Sequence, residues 1–382
     1  MENRDPKHYH TGFDDGLIPI VSIEPLKSED TDELCAQMEH TGFGGSAVGD
    51  GVKILAAEMF ADKDMFTVMT LAGAMTPAGM GLMVCDLLDR GCIQAVVSTG
   101  ALITHGFVQS AGMAHFRHRD DISDVEACKR GYNRIYKVIE LEKNLDDAEA
   151  IIGKVLSGLN PYTTLSSRIV TRELGRWLAE NTEGRGILKS AYNMNVPVYI
   201  PAFTDSELGL DIAIYNMRRA AEGKNPFNSN DFIDLMHFME LFNQQTKAGI
   251  YTIGGGAPRN WAQQQPPFIG LIEGRMPEGK KPTHIKPKKY CAGVRICPES
   301  MEWGGLSGCP FTEGVAWGKF DPNGKYAEIL ADATIIWPFV HQAVFQRLAK
   351  MGIEKVEKNF GLKAQVEKAE KLIEPYFQSH CR

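Results

Sequence analysis

FTVMTLAGAMTPAGMG, residues 66–81, decides the fold. Phe66 to Leu71 form an uncharged, mostly apolar run of strand length, and the residues after them break into alanines, glycines and a proline. A strand with one face in water alternates apolar with polar residues, whereas a strand covered on both faces loses that alternation. The run therefore predicts a central strand of a parallel sheet, followed by a turn and a helix reaching about Arg90.

Working outward, a second buried strand is expected at Ala95 to Thr99, and later ones at Val196 to Ala202, Ala248 to Ile253 and Ala327 to Ala331. Strands of this kind separated by helical stretches define the α/β class, with helices on both faces of a parallel sheet. Residues 121 to 190 read as mainly helical. An N-terminal arm with the amphipathic run TDELCAQMEH occupies residues 1–40, an exposed insertion is expected at 261–291, and a closing surface helix at 353–382. The helix before it should run from Pro338 to about Met351. No linker is long enough to force two domains, so a single large domain of 1–382 is expected. TGFGGSAVGDG, from Thr41, holds glycines but follows no strand, so it is discounted as a dinucleotide fingerprint.

Composition narrows the class. The 382 residues are 43% apolar and 23% charged, an ordinary globular balance. A net charge of −7 argues against a general nucleic-acid binder and suits a cationic small molecule better. No apolar run reaches the roughly 20 residues of a bilayer span, and the first ten residues lack a signal-peptide core, so a cytoplasmic protein without membrane attachment is expected. The cysteines form no CxxC pair and read as reduced, mostly buried thiols; no metal site is expected, and His115 and His118 read as solvated or capping residues.

In such sheets ligands sit outside the carboxyl ends of the strands. Those positions here are rich in glycine, small hydroxyls and aspartate: Gly73 to Gly81, Thr99-Gly100-Ala101, Thr204-Asp205, Gly254 to Gly256, and Asp332-Ala333. Glycines admit the pyrophosphate of a nucleotide cofactor, and aspartates accept from its ribose. The stretch Gly304 to Lys319, GGLSGCPFTEGVAWGK, reads as an aperiodic loop that wraps a ligand and delivers Lys319. A lysine in an apolar setting can attack an imine or carbonyl. Trp317 is expected to wall it, and Glu313 to move protons or hold a substrate ammonium.

EGVAWGK with the downstream Asp332-Ala333, TDSELG from Thr204, the glycine triplet at Gly254 and GAMTPAGMG from Gly73 resemble the deoxyhypusine synthase family, in order and spacing, from about Thr41 to Leu348. The resemblance implies a Rossmann-like fold, NAD as cofactor, and transfer of an aminobutyl group from spermidine through an imine on the active-site lysine. It also implies homotetramers with sites between paired subunits. Carried over, Lys319 is the nucleophile and Glu313 and Trp317 are polyamine contacts. The cofactor contacts become Thr76, Thr99, Gly100, Ala101, Asp205, Gly254, Gly255, Ser307, Asp332 and Ala333.

The departures bear on the substrate. Thr104-His105 stand where the family has paired glutamates, Asn260 where it has a histidine, and Leu210 and Leu306 where it has aspartates, with Asp211 next to the first. His105 is the candidate replacement acid or base. The acceptor expected is a small amine such as putrescine, giving homospermidine, or a protein lysine like that of the hypusine-containing translation factor. An NAD-binding structural or regulatory oligomer without transferase chemistry is the alternative.

Overall fold

The computed structural model describes residues 4–377. Six strands, β1 (Met65–Leu71), β2 (Ala95–Ser98), β6 (Val198–Tyr199), β7 (Lys247–Ile253), β8 (Tyr290–Ile296) and β9 (Phe320–Ile329), form one sheet in the order β6-β2-β1-β7-β8-β9. Every pairing in it is parallel. Counted along the chain, the order is that of a doubly wound nucleotide-binding sheet, and its winding reverses between β1 and β7. β1 is buried at all seven positions, as an unbroken run requires.

Two apolar clusters cover the two faces. One gathers Met69, Leu88, Val96, Leu102 and Trp337; the other gathers Phe66, Val97, Tyr199, Phe238, Tyr290 and Phe320. Alternate residues of each strand feed opposite clusters, so a one-residue slip would exchange the two sets.

Several expectations need correction. The region 116–141 contains a separate antiparallel sheet, β3 (Phe116–Arg117), β4 (Tyr132–Ile135) and β5 (Val138–Leu141), of which β4 and β5 lie inside the stretch read as helical from residue 121. The segment 261–291 is not all exposed: Trp261 stacks on Phe238, Ala262 and Ile269 are buried, and Tyr290 opens β8 fully buried. The strand at 196–202 shrinks to two residues, and that at 327–331 is the end of a longer β9. The helix expected from Pro338 begins at Ala333, and the last helix spans Leu362–Phe377; the rest of the expected 353–382 helix after Phe377 lies outside the described residues. The helix in the N-terminal run is Thr31–Met38, where Asp32 ion-pairs with Arg347 at 2.6 Å. All seven described cysteines are free, four of them buried; Cys381 lies outside the described residues.

Candidate functional site

Parallel strands bring their carboxyl ends to one edge, and the reversal at β1/β7 opens a crevice there. The chain leaving β7 meets the chain leaving β1 at this point: Ala72 N–H donates to Ile253 O at 3.1 Å. Gly254 takes φ +85°, a conformation that favours glycine, and a Cβ there would stand 3.3 Å from Ala72 Cβ. The turn is fixed from beside it by a buried guanidinium. Arg295 on β8 donates to Gly254 O at 3.1 Å and to Ser307 O at 3.0 Å, joining the glycine turn to the loop that precedes Lys319. Gly255 lies so close to that loop that a Cβ would fall 2.0 Å from Ser307 O, so close packing by itself requires glycine here.

The loop read as aperiodic contains a short helix, Phe311–Ala316. Glu328 of β9 accepts its first N–H, from Phe311, at 2.7 Å. Gly314 lets this helix rest on Phe320, whose ring a Cβ would overlap at 2.4 Å. Gly318, at φ +73°, then turns the chain so that Lys319 points inward at the head of β9.

Lys319 is 7% exposed, and its Nζ donates to Asn260 Oδ1 at 3.2 Å. Burial lowers its pKa below the ordinary lysine value; Arg259 pushes the same way, while Cys309 and Glu313 oppose it. Arg259 is itself buried, with its pKa lowered to about 10 by burial and then by Arg295. Arg259 thus shares the surroundings of the lysine, while Arg295 lies beyond it and pairs with Glu328 at 3.6 Å. Trp317 does not form the expected wall: it is 66% exposed, and Glu313 is also exposed.

Sequence reasoning noted Asn260 only as a departure, yet it is the direct hydrogen-bond partner of Lys319. It missed Arg259 altogether. Both sit on the Gly256–Gln263 helix, some sixty residues before the lysine, and no local pattern announces the meeting.

On the other side of the crevice, Thr99 precedes the Gly100–Ser110 helix, whose first N–H groups have no intrahelical acceptor and face the carboxyl edge of the sheet. Gly100 is pressed against the turn after β6, where a Cβ would lie 2.3 Å from Ser206 Oγ. Asp205 on that turn is exposed. Asp332 is exposed as well, and it caps its helix by accepting from Thr334 N at 2.7 Å and Thr334 Oγ1 at 2.8 Å. Ala333, next to it, is buried. The Thr76 hydroxyl is buried and donates to Leu102 O at 2.9 Å, so it secures the turn after β1 to this helix.

This second side is acidic. Asp211 is 4% exposed, and its Oδ2 has no hydrogen-bond partner. Burial, then the charges of Glu207 and Glu149, raise its pKa to about 7. Burial also raises Glu207, helped by Glu142. Leu210 and Leu306, which replace expected aspartates, are 54% and 75% exposed. His105 lies on the Gly100–Ser110 helix with Nδ1 3.1 Å from Glu140. His115, expected to be solvated, is packed against the same carboxylate with its side chain only 4% exposed. It follows the helix directly and reaches the small sheet, which sequence reading had not foreseen. The His118 side chain is only 11% exposed. Among the described residues, no helix is long and apolar enough to cross a membrane.

Comparison with known proteins agrees with this geometry. The sequence model of the family described as deoxyhypusine synthase matches residues 33–344. A "Probable deoxyhypusine synthase" of Methanosarcina thermophila is 32% identical over 332 residues, covering 87% of this chain and 96% of that protein. A "Deoxyhypusine synthase-like protein" of Elusimicrobium minutum is 27% identical over 76% of this chain and 74% of its own. Among solved structures, a "putative deoxyhypusine synthase" from Entamoeba histolytica superposes with a TM-score of 0.54 at 13% identity, over 90% of this chain and all of that one. The doubly wound sheet, the lysine loop and the extent of the match together place this chain in the deoxyhypusine synthase family.

Proposed function

We propose that the chain is an NAD-dependent aminoalkyl transferase that takes an aminobutyl group from a polyamine such as spermidine, carries it on Lys319, and delivers it to a small amine such as putrescine, forming homospermidine. The observation that carries this reading is Lys319 itself: buried at the head of β9, hydrogen-bonded to a neutral amide, with its ammonium form disfavoured. An amine attacks only when unprotonated, so these surroundings supply the nucleophile.

What supports NAD is the pair of turns at the winding reversal. Gly256, at φ +62°, has open space where a Cβ would stand, so a pyrophosphate can approach its backbone. The Gly100 helix offers free N–H groups to an anion, and the exposed Asp205 and Asp332 are available to ribose hydroxyls. A bound NAD, which the Gly254–Gly256 turn and the Gly100 helix would hold, would supply the redox chemistry: uptake of a hydride from the donor amine and its return to the product imine. Lys319 Nζ attacks the imine carbon of the oxidised donor, and the carbon–nitrogen bond to diaminopropane breaks. The aminobutyl group then rides as a lysine imine until the acceptor amine displaces it. Asn260 keeps Nζ aimed throughout.

A small acceptor is favoured over a protein lysine because Leu210 and Leu306 supply no charge at two positions where the resemblance predicts polyamine-binding aspartates. Apolar exposure around the lysine loop, at Trp303, Leu306, Trp317, Leu330, Ile335 and Phe339, supports pairing with a second copy that would complete the pocket. A tetramer is expected in light scattering.

Incubation with spermidine, NAD and putrescine should give homospermidine by mass spectrometry, and borohydride should trap a butylamine adduct on Lys319. Absence of both with every diamine tried rules the transferase out. One observation favours an NAD-binding oligomer without this chemistry: the direct partner of Lys319 is Asn260, an amide that cannot relay a proton. Calorimetric NAD binding without turnover would select that second reading.

A further inference from the structure

His105, His115 and Glu140 come from three separate segments: the Gly100–Ser110 helix, the loop leading to β3, and β5. Glu140 Oε2 lies 3.1 Å from His105 Nδ1 and 2.6 Å from His115 Nε2. All three donor atoms fall within 4.8 Å of one another. The Glu140 side chain is fully buried, that of His115 is 4% exposed, and that of His105 is 19% exposed.

Among the described residues, the contacts of Glu140 are these two histidines, Asn144 Nδ2 at 2.8 Å and Leu141 N at 3.0 Å; no lysine or arginine pairs with it. A buried carboxylate needs a compensating positive charge close by. The geometry of His115 indicates its kind. Its Nε2 is only 2.6 Å from the carboxylate oxygen, yet neither of its buried ring nitrogens makes a hydrogen bond. The donor nitrogens of His115 and His105 and the carboxylate oxygen of Glu140 thus gather at one place, close enough for a single ion to reach all three after small side-chain rotations.

We propose that His105, His115 and Glu140 bind one divalent transition-metal ion of the zinc class, with a fourth position open on the side where His105 reaches solvent. Two imidazoles and a carboxylate at about 2.0–2.2 Å suit zinc, whereas magnesium and calcium select oxygen ligands. An outer hydrogen-bond frame is already in place. Asn144 Nδ2 donates both to Glu140 Oε1 and to Ala114 O at 3.0 Å, so one amide orients the carboxylate ligand and the backbone next to His115. The ion pins the small β3–β5 sheet to the Gly100–Ser110 helix. This inference does not depend on the transferase reading, because it rests on side chains away from Lys319.

The full chain, purified without chelator and dialysed, should retain about one zinc-class ion per chain by elemental mass spectrometry. After stripping and loading with cobalt, it should show the visible d–d bands of a four-coordinate site without a thiolate charge-transfer band. His115→Ala and Glu140→Gln should bind cobalt about ten-fold or more weakly, and His115→Cys should restore binding with a new thiolate band. Less than about one-tenth of an ion per chain, with no cobalt d–d spectrum from the wild-type chain, overturns the site and leaves a hydrogen-bonded histidine–glutamate cluster. A thiolate band in the wild-type protein that survives both substitutions assigns the ion to cysteines and also overturns it. Because stripped wild-type protein is read directly, the outcome does not hinge on a variant folding.

Discussion

The two halves of the sheet are built on opposite electrostatic plans. On the β7–β9 side Lys319 is buried near Arg259, a cation that together with burial disfavours a further positive charge, while Arg295 is paired with Glu328 at 3.6 Å. The β1–β2–β6 side collects Glu207, Asp211 and Glu149, and there burial leaves Asp211 Oδ2 short of a partner. One side disfavours the charged form of its amine; the other offers carboxylates to amines that arrive charged. A transferase for polyamines needs both, and they are better kept on separate walls, because an acidic wall beside Lys319 would stabilise its ammonium form.

The first way to break this contrast is to remove the amine. Lys319→Ala should lower turnover by roughly a thousand-fold or more, since a covalent carrier has no substitute, while circular dichroism remains that of the wild type. Substantial residual transfer would mean that the buried lysine is only structural. Arg259→Met should move the acid limb of the pH–rate profile for kcat/KM to higher pH, because a charge that lowers the lysine pKa is gone. An unmoved limb would detach the arginine from the lysine.

On the acidic side, Asp211→Asn isolates the effect of the buried carboxylate. Its folded pKa of about 7 exceeds the ordinary aspartate value, so between about pH 4 and 7 the native state holds a proton that the unfolded state has released. Stability from this group therefore falls as pH rises through that window and stays low above it. The variant should be more stable than wild type at pH 8, by on the order of a few kcal/mol, and nearly equal at pH 4 in urea melts, while its amine KM rises. Equal stability at both pH values would show that Asp211 is solvated. The smallest effect is expected from Asn260→Ala, which removes one hydrogen bond of about 1 kcal/mol and should cost roughly five-fold in kcat.

How much of this was legible depends on distance along the chain. β1, β2 and β7 announce themselves because burial on both faces suppresses alternation. β8 hides: YCAGVRI follows a basic, proline-rich run and carries Gly293 and Arg295 at its centre. Both residues are there for packing, since Gly293 makes room for the Phe311 ring and Arg295 spends its donors on Gly254 O and Ser307 O. Lys319, the proposed carrier, was legible from EGVAWGK, but what buries it was not. Trp317, its neighbour in sequence, points outward, and Asn260 and Arg259 come from a helix after another strand. The histidines at 105 and 115 were visible one by one, but β5, which brings Glu140 to them, was not.

Arg295 has a kinetic consequence. One guanidinium holds the turn after β7 and the loop before Lys319, so neither segment can shift without the other. Occupancy of the turn is then felt at the loop before any amine arrives, and binding should be compulsory in order, dinucleotide first. Product-inhibition patterns report that sequence directly, and Arg295→Lys, which cannot span both carbonyls, should make it random.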